Sequence, residues 1–274
     1  MEQAENKKGP FIKDPLIEDW LDLNFYHPLG YKFAILFNKL DFSPNLVSFI
    51  SMIFGLIGAF MVYYSMPVLG VLFIVFAGIL DSSDGQLARM SGKTSVYGRI
   101  IDGLVGYVIF GSVYILIGLK YKSFIAMILA GVSNGIHSSV YDFYRTAYLA
   151  VTRNRFLDFF PPEGKKNLFS KIYSFYMSYQ TGICKHHISF IKKLITEGKV
   201  LNDEKLNFYK KKMISNIQYI NILGDNWKIN GLLFLAVINR LDLFFYYIIF
   251  IINLVFVLVV LRQRKIDLTI SEAV

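Results

Sequence analysis

Cysteine is all but missing from this chain: Cys184 stands alone among 274 residues. That excludes an internal disulfide and, by itself, argues nothing about catalysis. Charge is scarce as well. Asp, Glu, Lys and Arg make up 18 % of the residues, while hydrophobic residues reach 54 % and the mean hydropathy is +0.45. Soluble proteins carry about 25 % charged residues, so this balance excludes a single soluble domain of this length. Residues 1–10 are polar and the first long apolar run starts near Leu46, which predicts no removable signal peptide. No internal repeat of fixed period is present.

What the chain does contain is a series of apolar runs, several of them close to the 20 or so residues that cross a membrane as a helix. Six spans are expected, at about 45–64, 67–88, 98–119, 123–150, 227–239 and 242–262. The fifth is the weakest: it stops at Arg240 and Asp242, so it is tilted, extended into the preceding polar segment, or re-entrant. The fold class that follows is an all-α integral membrane protein in four segments. Residues 1–42 form cytoplasmic, interfacial amphipathic helices, with Leu16, Ile17, Trp20, Leu21 and Leu23 interleaved with acids and lysine. Residues 43–150 hold four transmembrane helices, 151–226 a cytoplasmic helical insert, and 227–274 the last two spans and a cytoplasmic tail.

The net charge of +9 is informative through its location. Lys and Arg gather before the first span, at 89–99, through 153–228 and at 262–265. The positive-inside rule makes all four segments cytoplasmic and requires an even number of crossings. Lys120 and Lys122 fall on the opposite side. Because the basic residues flank spans, their natural counterpart is anionic lipid, and a nucleic-acid partner is not expected.

The most specific stretch lies at the edge of two of these spans. Asp81 and Asp84 are three residues apart and share a helix face, and Asp102 opens the next apolar run. If the two spans are antiparallel neighbours, three carboxylates meet at one membrane depth. Each would cost about 2.5–3.5 kcal/mol if it faced lipid near a span centre, so they face a wet or metal-bearing interior. The plain structural alternative is a buried ion network with no ligand.

This stretch resembles the signature of the CDP-alcohol phosphotransferase family, Asp-x2-Asp-Gly-x2-Ala-Arg-x8-Gly-x3-Asp-x3-Asp. The matching residues are Asp81, Asp84, Gly85, Ala88, Arg89, Gly98 and Asp102. At ordinary residue usage such a match arises by chance roughly once in 10⁸ to 10⁹ start points. Ser43-Pro44-Asn45 ahead of the first span is similar to the family's usual entry. The last signature position is Gly106 here, where the family has an Asp thought to bind a second metal ion and act as general base. The resemblance implies Mg²⁺ or Mn²⁺ held by Asp81, Asp84 and Asp102. It implies a CDP moiety bound around Asp84, Gly85, Ala88, Arg89 and Gly98, and a homodimer. Asp102 is the expected catalytic residue. Arg89 sits near phosphate or caps the helix end.

With Gly106 in place of an acid, another group must take the acceptor's proton. His137, in the fourth span, is one candidate, with a hydrogen-bonded core histidine as its alternative. Asp142 and Arg145 read as an intrahelical ion pair or as contacts to an anionic acceptor. His186-His187 point to different helix faces, which disfavours a metal site. The insert, with Phe169, Tyr173, Tyr176 and Met177 on one helical face, reads as a hairpin on the membrane surface, a lid over the active site, or a dimer or partner contact. The implied activity moves a substituted phosphate group from a CDP-alcohol to an alcohol acceptor, soluble or lipid, with release of CMP, in lipid synthesis. The expected setting is a bacterial or archaeal inner membrane with the site facing the cytoplasm. The alternative is a catalytically silent member that binds CDP-linked ligand. A transporter would spread its acids along several spans, and here they concentrate at one depth.

Overall fold

The computed structural model describes residues 14–94, 96–154, 182–196 and 201–273, with the side chains of 96–102 outside the description. In chain order its helices are α1 (His27–Lys39), α2 (Pro44–Tyr63), α3 (Pro67–Met90), α4 (Val96–Tyr121), α5 (Phe124–Thr152), α6 (Lys185–Thr196), α7 (Asp203–Ile220), α8 (Asp225–Val237) and α9 (Asn253–Ala273). π-Helical turns at Asp22–Tyr26 and Tyr247–Ile252 lead into α1 and α9. No strand occurs among the described residues. The aromatic face expected at Phe169, Tyr173, Tyr176 and Met177 lies outside the described residues.

Local sequence explains where the helices begin and end. Ser43 caps α2 by accepting from the Leu46 amide at 3.3 Å, and Pro44 takes the first helical position, where no amide is needed. Pro67 starts α3 in the same way. The turns after α1, α2, α3 and α4 each pass through a left-handed residue: Asp41, Ser65, Gly92 and Lys122, with φ of 56°, 69°, 68° and 52°. Such residues stop a helix and reverse the chain in a few steps. Only one is glycine; the others accept a backbone cost of about 1–2 kcal/mol each for tight hairpins.

Five helical segments among the described residues are long and apolar enough to cross a membrane: Pro44–Tyr63, Pro67–Met90, Gly103–Tyr121, Phe124–Thr152 and Leu241–Ala273. The chain is an all-α integral membrane protein. The expected span at 227–239 corresponds to α8, whose 13 residues extend about 20 Å. That is short of the roughly 30 Å hydrocarbon core, so a sixth crossing would need more than this helix alone.

The chain divides into two compact units. The first comprises Met1–Gly131 and Asn226–Ile249. Its centre is the α2–α3 hairpin, where small residues bring the backbones together. A Cβ added at Gly58 would lie 2.5 Å from the Gly70 carbonyl oxygen, and one at Gly70 equally close to that of Gly58. Ser51 Oγ donates to the Ala77 carbonyl across the same interface at 2.9 Å. In a membrane, where hydrophobic burial drives little helix association, close packing and such hydrogen bonds hold helices together. α4 packs on α2, its Ile109 filling the space over Gly55. Lys120 of α4 donates to the Val62 carbonyl at 2.8 Å, near the C-terminal end of α2, where a cation is favoured. α1 lies along α3, with Phe33 edge-on to Phe76 and Ala34, Val47 and Leu87 in one buried cluster.

The second unit comprises Val132–Asp225 and Phe250–Val274. The helical segment Leu241–Ala273 has 33 residues, about 50 Å of helix, and overruns the hydrocarbon core by several turns. Beyond Leu261 it carries Arg262, Arg264 and Lys265 on the outside and Gln263 and Asp267 on the inside. α6 and α7 pack against this overrun. Their buried residues, among them Ile188, Ile191, Leu194, Met213 and Ile217, turn inward. The apolar stripes of the described insert helices are thus spent on protein, leaving Lys185, Lys192, Lys193 and Lys211 exposed.

Candidate functional site

α3 changes character at its C-terminal end. Its first half is an apolar span; from Asp81 onward it carries Asp81, Ser82, Ser83, Asp84 and Gln86. Asp84 is 4 % exposed, and its Oδ2 accepts a hydrogen bond from Ser48 Oγ of α2 at 2.5 Å. A buried carboxylate keeps its charge only where donors or cations replace water, and Ser48 supplies one such donor. Asp81, one turn earlier on the same face, is half-buried. Gly85 follows, and Arg89 folds back so that its Nη1 would lie 3.5 Å from a Cβ at Gly85. The guanidinium therefore sits against the motif turn.

Asp102 and Gly98 lie on α4, and their side chains are outside the described residues. Among the described residues no three His, Cys, Asp or Glu form a group that could hold a metal ion. The described part of the expected donor set, Asp81 and Asp84, offers only carboxylate oxygen, which suits a hard cation such as Mg²⁺. At Gly106 a Cβ would meet nothing within 4 Å. A side chain would have room there.

The segment that precedes the first span packs onto the motif. A Cβ at Gly78 would lie 2.9 Å from the Tyr26 ring, and one at Gly30 2.9 Å from Ser82 Oγ. His27 Nδ1 is 2.9 Å from Ser82 Oγ, and Gln86 Nε2 donates to the His27 carbonyl at 3.0 Å. Asn226 Nδ2 bridges Asp19 Oδ2 and Asp22 Oδ1 at 3.1 and 2.9 Å. Burial pushes the Tyr26 phenol up, with Asp22 and Asp19 adding to the effect.

The remaining sequence candidates lie in the second unit. His137 is fully buried: its Nε2 is 2.8 Å from Asn253 Oδ1, its ring tilts against Phe256, and Asn253 Nδ2 donates to Ser133 Oγ at 3.0 Å. This is the setting of a hydrogen-bonded core histidine. Arg145 hydrogen-bonds the Tyr141 hydroxyl and lies over that ring, while Asp142 is exposed. His187 is fully buried in a polar network. Its Nδ1 meets Asp267 Oδ1 at 2.8 Å and its Nε2 meets the Tyr209 hydroxyl at 3.2 Å. Gln263 Nε2 also donates to Asp267 Oδ1 at 2.7 Å, and Asn216 Nδ2 donates to Gln263 Oε1 at 2.7 Å.

Sequence reasoning did not single out Ser48, His27, Ser82, Gln86 or this network. A signal existed for three of them: Ser48 is a polar residue inside an apolar run, and Ser82 and Gln86 lie one turn apart beside the acids. The pairings themselves join residues far apart in the chain.

Comparison with known proteins agrees with the motif. The chain is 36 % identical over 72 residues to the "Bifunctional IPC transferase and DIPP synthase" of Archaeoglobus fulgidus, covering 26 % of this chain and 14 % of that protein. It is 26 % identical over 100 residues to an uncharacterized protein of Aquifex aeolicus, covering 36 % of this chain and 51 % of that one. The chain thus spans about half or less of the length of these relatives. No solved structure matches it. The sequence profile of the CDP-alcohol phosphatidyltransferase family matches residues 42–179, from the cap of α2 to beyond α5, and with this match the chain belongs to that family.

Proposed function

We propose that this protein transfers a substituted phosphate group from a CDP-alcohol to the hydroxyl of an alcohol acceptor, with release of CMP. The acceptor oxygen forms a bond to the phosphorus distal to cytidine, the pyrophosphate P–O bond breaks, CMP leaves, and the acceptor's proton passes to a base. The observation that carries this reading is the placement of the signature acids. Asp84 is buried near the C-terminal end of α3 and held by Ser48, with Asp81 one turn away and Arg89 folded over Gly85. Phosphoryl transfer calls mainly for positioning and charge neutralisation, which these residue types provide.

In this reading Asp81, Asp84 and Asp102 hold Mg²⁺ or Mn²⁺, and Gly85, Ala88 and Gly98 let the CDP moiety approach the backbone. The divalent ion, when bound, offsets diphosphate charge. Arg89 orients phosphate. Asp102 and His137 are the residues to test for proton transfer, and Asp142 and Arg145 for contact with an anionic acceptor. Lys and Arg placement favours a site on the cytoplasmic face of a bacterial or archaeal inner membrane, and the family favours a homodimer.

A second reading, a silent member that binds CDP-linked ligand, rests on Gly106 at the last signature position. One experiment separates the two. The purified, detergent-solubilised chain is incubated with Mg²⁺ or Mn²⁺, CDP-diacylglycerol or soluble CDP-alcohols, and acceptors such as glycerol phosphate, inositol phosphate and serine. Metal-dependent CMP release is expected. Metal-dependent CDP binding without release from any pair would replace the transferase reading with the silent one.

A further inference from the structure

Three side chains form a chain that ends inside the signature. The Glu18 carboxylate lies 3.7 Å from His27 Nε2, and His27 Nδ1 lies 2.9 Å from Ser82 Oγ. Ser82 stands between Asp81 and Asp84. Glu18 is 8 % exposed, so this carboxylate is held inside the protein. Gln86 closes the arrangement: its Nε2 donates to the His27 carbonyl at 3.0 Å and lies 3.3 Å from Ser82 Oγ. Gly78, Ser82 and Gln86 make one stripe along α3, and Tyr26, His27 and Gly30 cover it. A Cβ at Gly30 would lie 2.9 Å from Ser82 Oγ and 3.1 Å from Gln86 Nε2, so a larger residue there would push the Ser82 hydroxyl or the Gln86 amide aside. The stripe is adjacent on the helix to the face that carries the two acids.

We infer that His27 is a positioning residue for the phosphotransfer: with the Glu18 carboxylate beside its other nitrogen, it holds Ser82 and thereby sets the rotation of the α3 turn that presents Asp81 and Asp84. The inference rests on the function proposed above. The physical ground is that a helix end is the part of a helix most prone to fray, and the motif occupies the last turns of α3. A ligand set on such a turn needs outside support, and displacement of reacting groups by about 1 Å can cost 10²-fold in rate. α1 and the residues before it supply that support from one side, as Ser48 does from another.

The test is a mutant cycle read as CMP release by the full chain in detergent. His27→Ala and Ser82→Ala are each expected to lower kcat about 10–100-fold, the range for loss of an orienting partner, with less than about threefold change in KM for the CDP donor. The double variant is expected to be no slower than the slower single variant, because both remove one link. His27→Asn, whose amide can replace Nδ1 toward Ser82, is expected to recover most of the rate. A double variant at the product of the two single losses, a loss confined to KM, or full activity in His27→Ala would each overturn the proposal.

Amide hydrogen exchange keeps the two readings apart. Should the wild-type chain release no CMP, the phosphotransferase reading fails by itself. Faster exchange across residues 78–90 in both His27→Ala and Ser82→Ala, with the rest of the chain unchanged, would still support the clamp. Unchanged exchange across 78–90 would sink it.

Discussion

Ser48 Oγ of α2 donates to Asp84 Oδ2 of α3 at 2.5 Å, a contact that joins two adjacent spans through the second acid of the signature. The pair is buried on both sides, so neither group can turn to water instead. Ser48→Ala is expected to weaken metal-dependent binding of CDP-linked ligand about 10–100-fold, and Ser48→Thr to preserve it. Isothermal titration with CDP and Mg²⁺ would measure both.

Asp84→Asn and Asp102→Asn are expected to abolish metal-dependent CDP binding. An amide keeps the size of the side chain but removes the charge that draws a hard cation. Unchanged affinity in either variant would remove that residue from the site. The same titration after chelation of divalent ions sets the baseline.

Gly106 and Gly58 call for opposite outcomes. A Cβ at Gly106 meets nothing within 4 Å, so Gly106→Asp is expected to fold normally, and it is expected to raise CMP release if the missing acid limits the rate. Gly58→Ala drives a methyl to 2.5 Å from the Gly70 carbonyl oxygen, a backbone atom that can yield only if the helices separate. A loss of about 1–3 kcal/mol is expected, read as a lower midpoint of thermal unfolding in detergent.

His187 and Asp267 form a pair with almost no contact with water. Removing one partner, by His187→Ala or Asp267→Asn, takes one hydrogen bond from the other, which keeps Tyr209 or Gln263, and is expected to cost about 1–3 kcal/mol. Replacing both by apolar residues of similar volume also takes partners from the buried Tyr209 hydroxyl and Gln263 amide, so it is expected to cost at least as much as either single change. The contrast between single and double variants in chemical unfolding tests whether the network is an obligate pair.

Cys184 provides a pH-dependent check on the same region. Burial pushes its thiol up to about 12 from an ordinary 9.0. At pH 8 only about one chain in 10⁴ carries the reactive thiolate, so alkylation by iodoacetamide is expected to be slow in the folded protein and fast in His187→Ala. The sign for stability follows. The folded thiol keeps its proton to higher pH than the unfolded one, so above pH 9 the unfolded state binds fewer protons and stability falls toward pH 12.

The class of the fold was legible in the sequence because membrane insertion is set by composition over about 20 residues, a local property. Pro44 and Pro67 marked two helix starts for the same local reason. The signature was legible because a helix places residues three and four apart on one face, so its acids had to fall together. The sequence alone therefore determined an all-α membrane protein with Asp81 and Asp84 on a shared face. Tertiary structure decided the rest. Ser48 is 36 residues from Asp84, His27 is 55 from Ser82, and His187 is 80 from Asp267. No periodicity links residues so far apart; only the packing of helices brings a buried polar group to the one partner that can satisfy it. The use of the insert's apolar stripes was decided the same way, since amphipathic spacing fits a membrane surface and an overrunning helix equally well. Where α9 extended past the bilayer, protein supplied the apolar surface that α6 and α7 needed.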